Sequence, residues 1–409
     1  MNNQTIKKIK TRAYKDRLRG HKDGVICLHS PEGPQSNYLY SASKDGQIIV
    51  WNLVDRKIQN KIFVSRITSD IIQQIQNKEE QYNQNLEGEE EYDQDEGEEG
   101  EEEEEEEEME NNLNQEYLEN MEKFKKIDTQ EQDQQFTCAT FSENSIYAGF
   151  NDGNIYSWNN MNGELTCLYE GHLGKITQLQ FLNQRQLVST SNDHTVRVWD
   201  TMAGNNEFIF KLSGPVNYLR LQGQKVIHVI VSKNTYVRLE IDKQEVQQAI
   251  KFSHTIITNF LVHKEFLILG TLDNTIEIYN LDTLDPENIQ PHKVIEGIQG
   301  WVLSMNILDS YLFIGGDDRR IRVYDMTKNF DHAEDLEGHL DGIVSIEFAG
   351  NLLFSGSFDH SIRSWDLQEM YSRIRERKYM MKEDLWSKKH DAYHDKLYAK
   401  KKKKGGKKK

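Results

Sequence analysis

Short stretches that alternate apolar and polar residues at strand spacing recur through most of the chain, as in Ile176–Phe181 and Ile343–Phe348. Downstream of the second stretch, Asn351–Trp365 reads as a hairpin. Leu352–Gly356 is apolar and small, Phe358-Asp359-His360 makes a turn, and Ile362–Trp365 is the return strand. Leu39–Trp51 and Leu187–Trp199 carry the same pattern. In all three a serine stands four residues before the turn aspartate and a tryptophan six after it. These sets are Ser41/Asp45/Trp51, Ser189/Asp193/Trp199 and Ser355/Asp359/Trp365. A Gly-His pair lies upstream of each and supplies His21, His172 and His339.

The spacing has a physical reason. A turn carboxylate accepts from nearby backbone N–H groups and from an imidazole. The imidazole passes the connection to the serine hydroxyl, and the hydroxyl to the indole N–H, so every buried polar group is satisfied. A charge-assisted link in such a chain is worth about 1.5–3 kcal/mol. The same residue types could form a hydrolytic triad. Three copies, each ending in a tryptophan that a triad does not need, argue against catalysis.

With the tryptophan position as a ruler, weaker copies appear between the good ones. The seven marks are Trp51, Trp158, Trp199, Leu239, Tyr279, Tyr324 and Trp365. Except for the first interval they recur about every 40–45 residues, the period of a propeller blade. One such unit cannot bury both faces of its sheet, so neighbours must stack around an axis. On these residues the chain resembles the WD-repeat β-propeller family over about three quarters of its length.

The expected fold is all-β: a seven-bladed propeller with a long acidic disordered insertion, a C-terminal basic helix and a lysine tail. Blade one takes residues 20–67, the insertion 68–135, and blades two to seven 136–367. The helix takes 368–399 and the tail 400–409. Residues 1–19 form a basic arm. In the family the sequence repeat is offset from the blade, so the resemblance implies that this arm supplies the outer strand of the last blade and closes the ring. Blade four, which has Lys233 and Leu239 in place of the aspartate and the tryptophan, is expected to be the least rigid. Trp301, Arg319 and Arg320 in the sixth copy are large residues beside turns, of types enriched at interfaces, and are candidate partner-binding positions.

Charge changes the picture. The formal net charge is −17, but it is divided. Residues 79–119 hold 22 acidic and no basic side chains, with Glu101–Glu108 unbroken. Residues 371–409 hold 16 basic and 5 acidic ones. Adjacent glutamates repel and form no core, so the insertion is either a solvating spacer or a polyanion that holds a basic protein or this chain's own tail. After the last blade, Leu367, Met370, Ile374, Met381, Leu385 and Ala392 fall on one helical stripe. That stripe packs either on the ring or in a partner's groove. Lys400, Lys401, Lys402, Lys403 and Lys404, then Lys407, Lys408 and Lys409, read as a nuclear localisation signal or a contact for RNA or another polyanion.

The three cysteines, Cys27, Cys138 and Cys167, are scattered and offer neither a disulfide framework nor a zinc spacing. No phosphate loop, metalloprotease motif, calcium loop or nucleophile elbow is found, so no enzyme, cofactor or metal is expected. No signal peptide and no apolar run long enough for a membrane span is present. The Trp-Asp-x-Arg ending that resembles cullin-ligase adaptors is missing as well. The resemblance implies a non-catalytic scaffold, a monomeric propeller within a larger protein complex. The expected setting is intracellular: a nuclear or nucleolar assembly factor of ribosome-biogenesis or chromatin type, or a cytoplasmic or ciliary scaffold gripping an acidic surface such as tubulin.

Overall fold

The computed structural model describes residues 16–30, 36–63, 136–142, 144–160, 162–252, 255–377 and 379–380. Seven four-stranded antiparallel sheets stand around one axis. Blade one runs from Val25 to Phe63, blade two from Phe136 to Tyr169, blade three from Ile176 to Lys211, and blade four from Val216 to Lys251. Blade five runs from Ile257 to Ile295 and blade six from Val302 to Glu337. Blade seven takes its three inner strands from Ile343–Asp366 and its outer strand from Asp16–Arg19. The register of that closing strand is antiparallel, with Asp16 opposite Ser364 and Arg19 opposite Ser361. The sheet edge that the chain would leave open is thereby filled. Residues 1–15 of the arm, the acidic run, the remainder of the stripe and the lysine tail lie outside the described residues.

Every blade buries alternate residues against the next one. Leu39 pairs across from Trp51, Leu187 from Trp199 and Leu353 from Trp365, and all six side chains are buried. Each innermost strand is bulged just after its first residue, for example between Ile176 and Gln178. A bulge adds twist, and polar side chains at or near it reach across the seam between blades. Thr137 Oγ1 donates to Ile176 O (2.7 Å) and Thr177 Oγ1 to Val216 O (2.7 Å). Asn259 Nδ2 donates to Leu303 O (2.7 Å) and Ser304 Oγ to Ile343 O (3.0 Å). Leu28 N–H donates to Ser345 Oγ (2.9 Å), and Arg220 joins blade four to Asn259 of blade five (3.2 Å). At the seam between blades one and two the corresponding link is the thiol of Cys27, 3.5 Å from Ala139 O. A thiol is a weak donor, and this seam is also held by Asn60 Nδ2 donating to Asn160 O (3.2 Å), by Asn160 Nδ2 donating to Tyr40 OH (3.0 Å) and by packing of Tyr40 and His29 against Phe141.

The chain reverses direction at every strand, so the ring has two distinct faces. One carries the turn aspartates, the Gly-His segments and the ends Phe63 and Phe136 that flank the insertion. The opposite face carries the last residue of the third strand in each blade, Asp366 among them. There Asp366 caps a helix over residues 367–377 by accepting from Glu369 N–H (3.1 Å). Leu367, Met370 and Ile374 are buried in the core shared by blades six and seven. Arg373 Nε meets the fully buried Glu334 at 2.8 Å, and Tyr371 lies on Tyr311 with ring centroids 5.3 Å apart. The described part of the stripe therefore packs on the ring itself.

Candidate functional site

Three polar chains are assembled as the spacing requires. In blade three, Trp199 Nε1 donates to Ser189 Oγ (2.7 Å). Ser189 Oγ lies 2.7 Å from His172 Nε2, and His172 Nδ1 lies 2.8 Å from Asp193. One proton arrangement satisfies all of them: indole to hydroxyl, hydroxyl to Nε2, and Nδ1–H to carboxylate. Blade seven repeats it, with Trp365–Ser355 at 2.9 Å, Ser355–His339 at 2.7 Å and His339–Asp359 at 2.9 Å. In blade one, Trp51–Ser41 and Ser41–His21 are both 2.7 Å, and His21 stands 3.3 Å from Asp45.

Each carboxylate also collects backbone donors from two loops. Asp193 accepts from Leu173 N–H (3.0 Å) and Thr195 N–H (2.9 Å). Burial alone would raise its pKa, but bonds from Thr195, Leu173 and His172 outweigh it and bring the carboxyl down to about 2. Burial pushes His172 down to about 4, so the imidazole is neutral at ordinary pH. The serine oxygens are fully buried, with no room for a substrate beside them. These groups saturate one another and hold the loops of one face in place.

Blade four solves the same position differently. Leu212, Val229, Lys233 and Leu239 stand where blade three has His172, Ser189, Asp193 and Trp199. Val229 and Leu239 are fully buried in one apolar cluster, with Leu212 packed against it. The expected looseness of blade four counted only the missing polar chain. Blade six has Ile314 at the serine position and an ion pair of its own, Arg322 to Asp318.

The candidate contact residues of blade six part company. Trp301 is 51 % exposed on the face of the turn aspartates. Arg319 is exposed on the same face, in a turn at φ +69°. Arg320 instead turns to the outer strand, 3.3 Å from Glu337 and 3.9 Å from Asp335. Sequence reasoning passed over two further apolar residues on the face of Trp301, Leu173 (92 % exposed) and Leu340 (68 %). The signal available was their place directly after the buried histidine, where the backbone N–H is held and the side chain must point away.

The inner strands enclose a channel of about 1420 Å³, lined by Cys27, Cys138, Arg220 and Glu347 among others. Burial pushes both thiols up to about 12 and the Glu347 carboxyl up to about 8. Such thiols are unreactive. Among the described residues no group of three His, Cys, Asp or Glu could hold a metal ion, and no helix is long and apolar enough to cross a membrane.

Comparison with known proteins gives matches to the family model "WD domain, G-beta repeat" at residues 13–52, 163–200 and 332–366, the segments around the three polar chains. The chain is 26 % identical over 204 residues to Protein tipD of Dictyostelium discoideum, covering 47 % of this chain and 33 % of that protein. It is 23 % identical over 136 residues to the ribosome biogenesis protein YTM1 of Candida glabrata, covering 33 % and 29 %. A 59-residue stretch is 37 % identical to human pre-mRNA-processing factor 17, covering 14 % and 10 %. The chain thus spans a third or less of the length of these relatives.

Proposed function

The chain belongs to the WD-repeat β-propeller family, and from that premise we propose that it is a non-catalytic scaffold of a multiprotein assembly, nuclear or nucleolar in setting. The observation that carries this reading is the fate of its Asp, His and Ser residues. In blades one, three and seven they are consumed in buried chains that fix loop shape, which leaves a rigid face studded with exposed apolar side chains. Two relatives are named for ribosome biogenesis and pre-mRNA processing, and both names favour work on RNA-containing assemblies. The lysine-rich tail favours the same setting, because its charge suits nuclear import or RNA.

The test is the native state of the full chain in its own cells. An epitope-tagged copy is expected to travel in an assembly well above its monomer mass. A fluorescent fusion is expected in the nucleus or nucleolus, and is expected to leave it when residues 400–409 are deleted. A monomer in extract would overturn the scaffold reading. A fusion confined to cytoplasm or cilia would overturn the nuclear one and favour a cytoskeletal partner.

A further inference from the structure

On the face of the turn aspartates, the seam between blades six and seven combines an exposed aromatic ring with two uncommitted carboxylates. Trp301 accepts through its carbonyl from Asp317 N–H (3.0 Å), which ties the indole's backbone to the turn that carries the carboxylate. Asp317 is exposed, and the neighbouring Asp341 contacts Gly342 N–H through one oxygen only (2.7 Å). Among the described residues neither carboxylate has a basic partner, whereas Asp318, the next residue, is fully engaged by Arg322.

Glycines keep this floor open. A Cβ at Gly342 would stand 3.3 Å from Asp317 Oδ1 and 2.8 Å from Leu303, and one at Gly300 would stand 3.2 Å from Asp317 Cβ. Leu340, 68 % exposed, borders the patch on the blade-seven side. Arg319 stands at the far end of the same turn, a cation without an ion pair among the described residues.

Resting on the scaffold reading, we propose that this seam binds a lysine or arginine side chain from a basic segment of a partner protein. The cation lies over the indole of Trp301, and Asp317 and Asp341 take its charge. The aliphatic stem lies against Leu340. An indole face attracts a cation through its quadrupole, and the unpaired carboxylates supply the charge complementarity that a neutral or acidic segment would lack. Arg319 opposes such a ligand and sets which side of the turn it approaches.

The test uses the full chain and a fluorescein-labelled dodecapeptide of Gly-Lys-Gly-Arg repeats, with a Gly-Glu peptide of equal length and a short uridine RNA as competing probes. Trp301→Ala is expected to weaken the basic peptide two- to fivefold, with Trp301→Phe in between. Asp317→Asn together with Asp341→Asn is expected to weaken it about tenfold, and Arg319→Ala to tighten it. All four positions are at or near the surface, so each variant should melt with the parent, and the melting curve checks this. If every variant binds the peptide as the parent does, the seam is not the site and the acidic insertion alone attracts basic chains. If only Trp301→Ala matters, the patch is an apolar contact and the proposal fails. Preferred binding of RNA or of the acidic peptide also overturns it. None of these outcomes touches the scaffold reading, which stands or falls on the size of the native assembly.

Discussion

Removing one hydroxyl, in Ser189→Ala, tests whether the buried chain of blade three acts as a unit. Ser189 and Trp199 are fully buried and His172 is 5 % exposed, so water does not replace what is lost. The substitution strands the indole N–H and the Nε2 of His172, each of which has Ser189 Oγ at 2.7 Å. A buried polar group without a partner costs about 1–3 kcal/mol, so the pair costs about 2–6 kcal/mol. One kcal/mol moves the melting temperature by about 2–4 °C in domains of 150–250 residues, and the lower figure suits this larger ring. A fall of at least about 4 °C is expected by scanning calorimetry.

Blade four shows that the position itself tolerates an apolar set, since Val229 and Leu239 fill it. The cost in blade three therefore arises from removing one member while leaving the others. A double-mutant cycle with Trp199→Phe isolates this. Phenylalanine removes the donor, so in the Ser189→Ala background its cost should shrink by a coupling of about 0.5–3 kcal/mol. A Ser189→Ala protein that melts within 1 °C of the parent, or a cycle that is additive, would refute the chain as the link between loop and sheet.

Deleting residues 1–19 removes the outer strand of blade seven and exposes the edge at Ser361–Ser364; a marked fall in melting temperature is expected, and unchanged melting would show the ring does not need closing. His29, His172 and His228 are each pushed by burial to about 4, below the ordinary 6.5. Between those values the unfolded chain binds protons that the folded one refuses, so stability is full above pH 6.5 and falls toward pH 4, by up to about 1.4 kcal/mol per pH unit for each histidine. Equal denaturation midpoints at pH 7 and pH 5 would contradict this. Glu347 has the opposite sign, since burial raises it from 4.5 to about 8. Glu347→Gln should therefore leave stability unchanged at pH 4 and increase it at pH 8; a pH-independent effect would show that the carboxyl is not held neutral.

How far the sequence discloses this structure depends on what fills each position. Ser41, Ser189 and Ser355 were legible because a buried hydroxyl between an indole and an imidazole admits few substitutes at a set spacing. Leu239 was legible as a repeat mark, but its apolar packing with Leu212 and Val229 was not, because any apolar side chain of suitable volume fills that space. The stripe Leu367, Met370 and Ile374 was visible as a periodicity. Its seat was not, because Glu334, the buried partner of Arg373, lies in another blade. The stitches from Thr137, Thr177 and Ser304 are equally long-range and leave no local pattern. Arg320 looked available only because its cross-strand partner Glu337 cannot be paired with it before the register is known.

The described residues nearest the two charged segments lie on opposite faces of the ring. Phe63 and Phe136 flank the acidic run on the face of the turn aspartates, whereas the helix that precedes the lysine tail starts at Asp366 on the opposite face. Strands of six residues separate the faces by about 20 Å at 3.3 Å per residue. Exposed charges are screened beyond about 8 Å at physiological salt, so the two roots do not sense each other through the ring. Phe63 and Phe136 lie on the same face as Trp301, Asp317 and Asp341, so the 22 acidic side chains of residues 79–119 are tethered to the face proposed to take basic chains. Deleting residues 79–119 should therefore weaken binding of the Gly-Lys-Gly-Arg peptide, most at low salt, and leave the melting temperature unchanged. Deleting residues 400–409 should reduce affinity for the uridine RNA and leave the basic peptide bound as before. If the tail deletion instead tightens the basic peptide and the loop deletion tightens RNA, each segment masks the other's ligand, and the two faces are not independent.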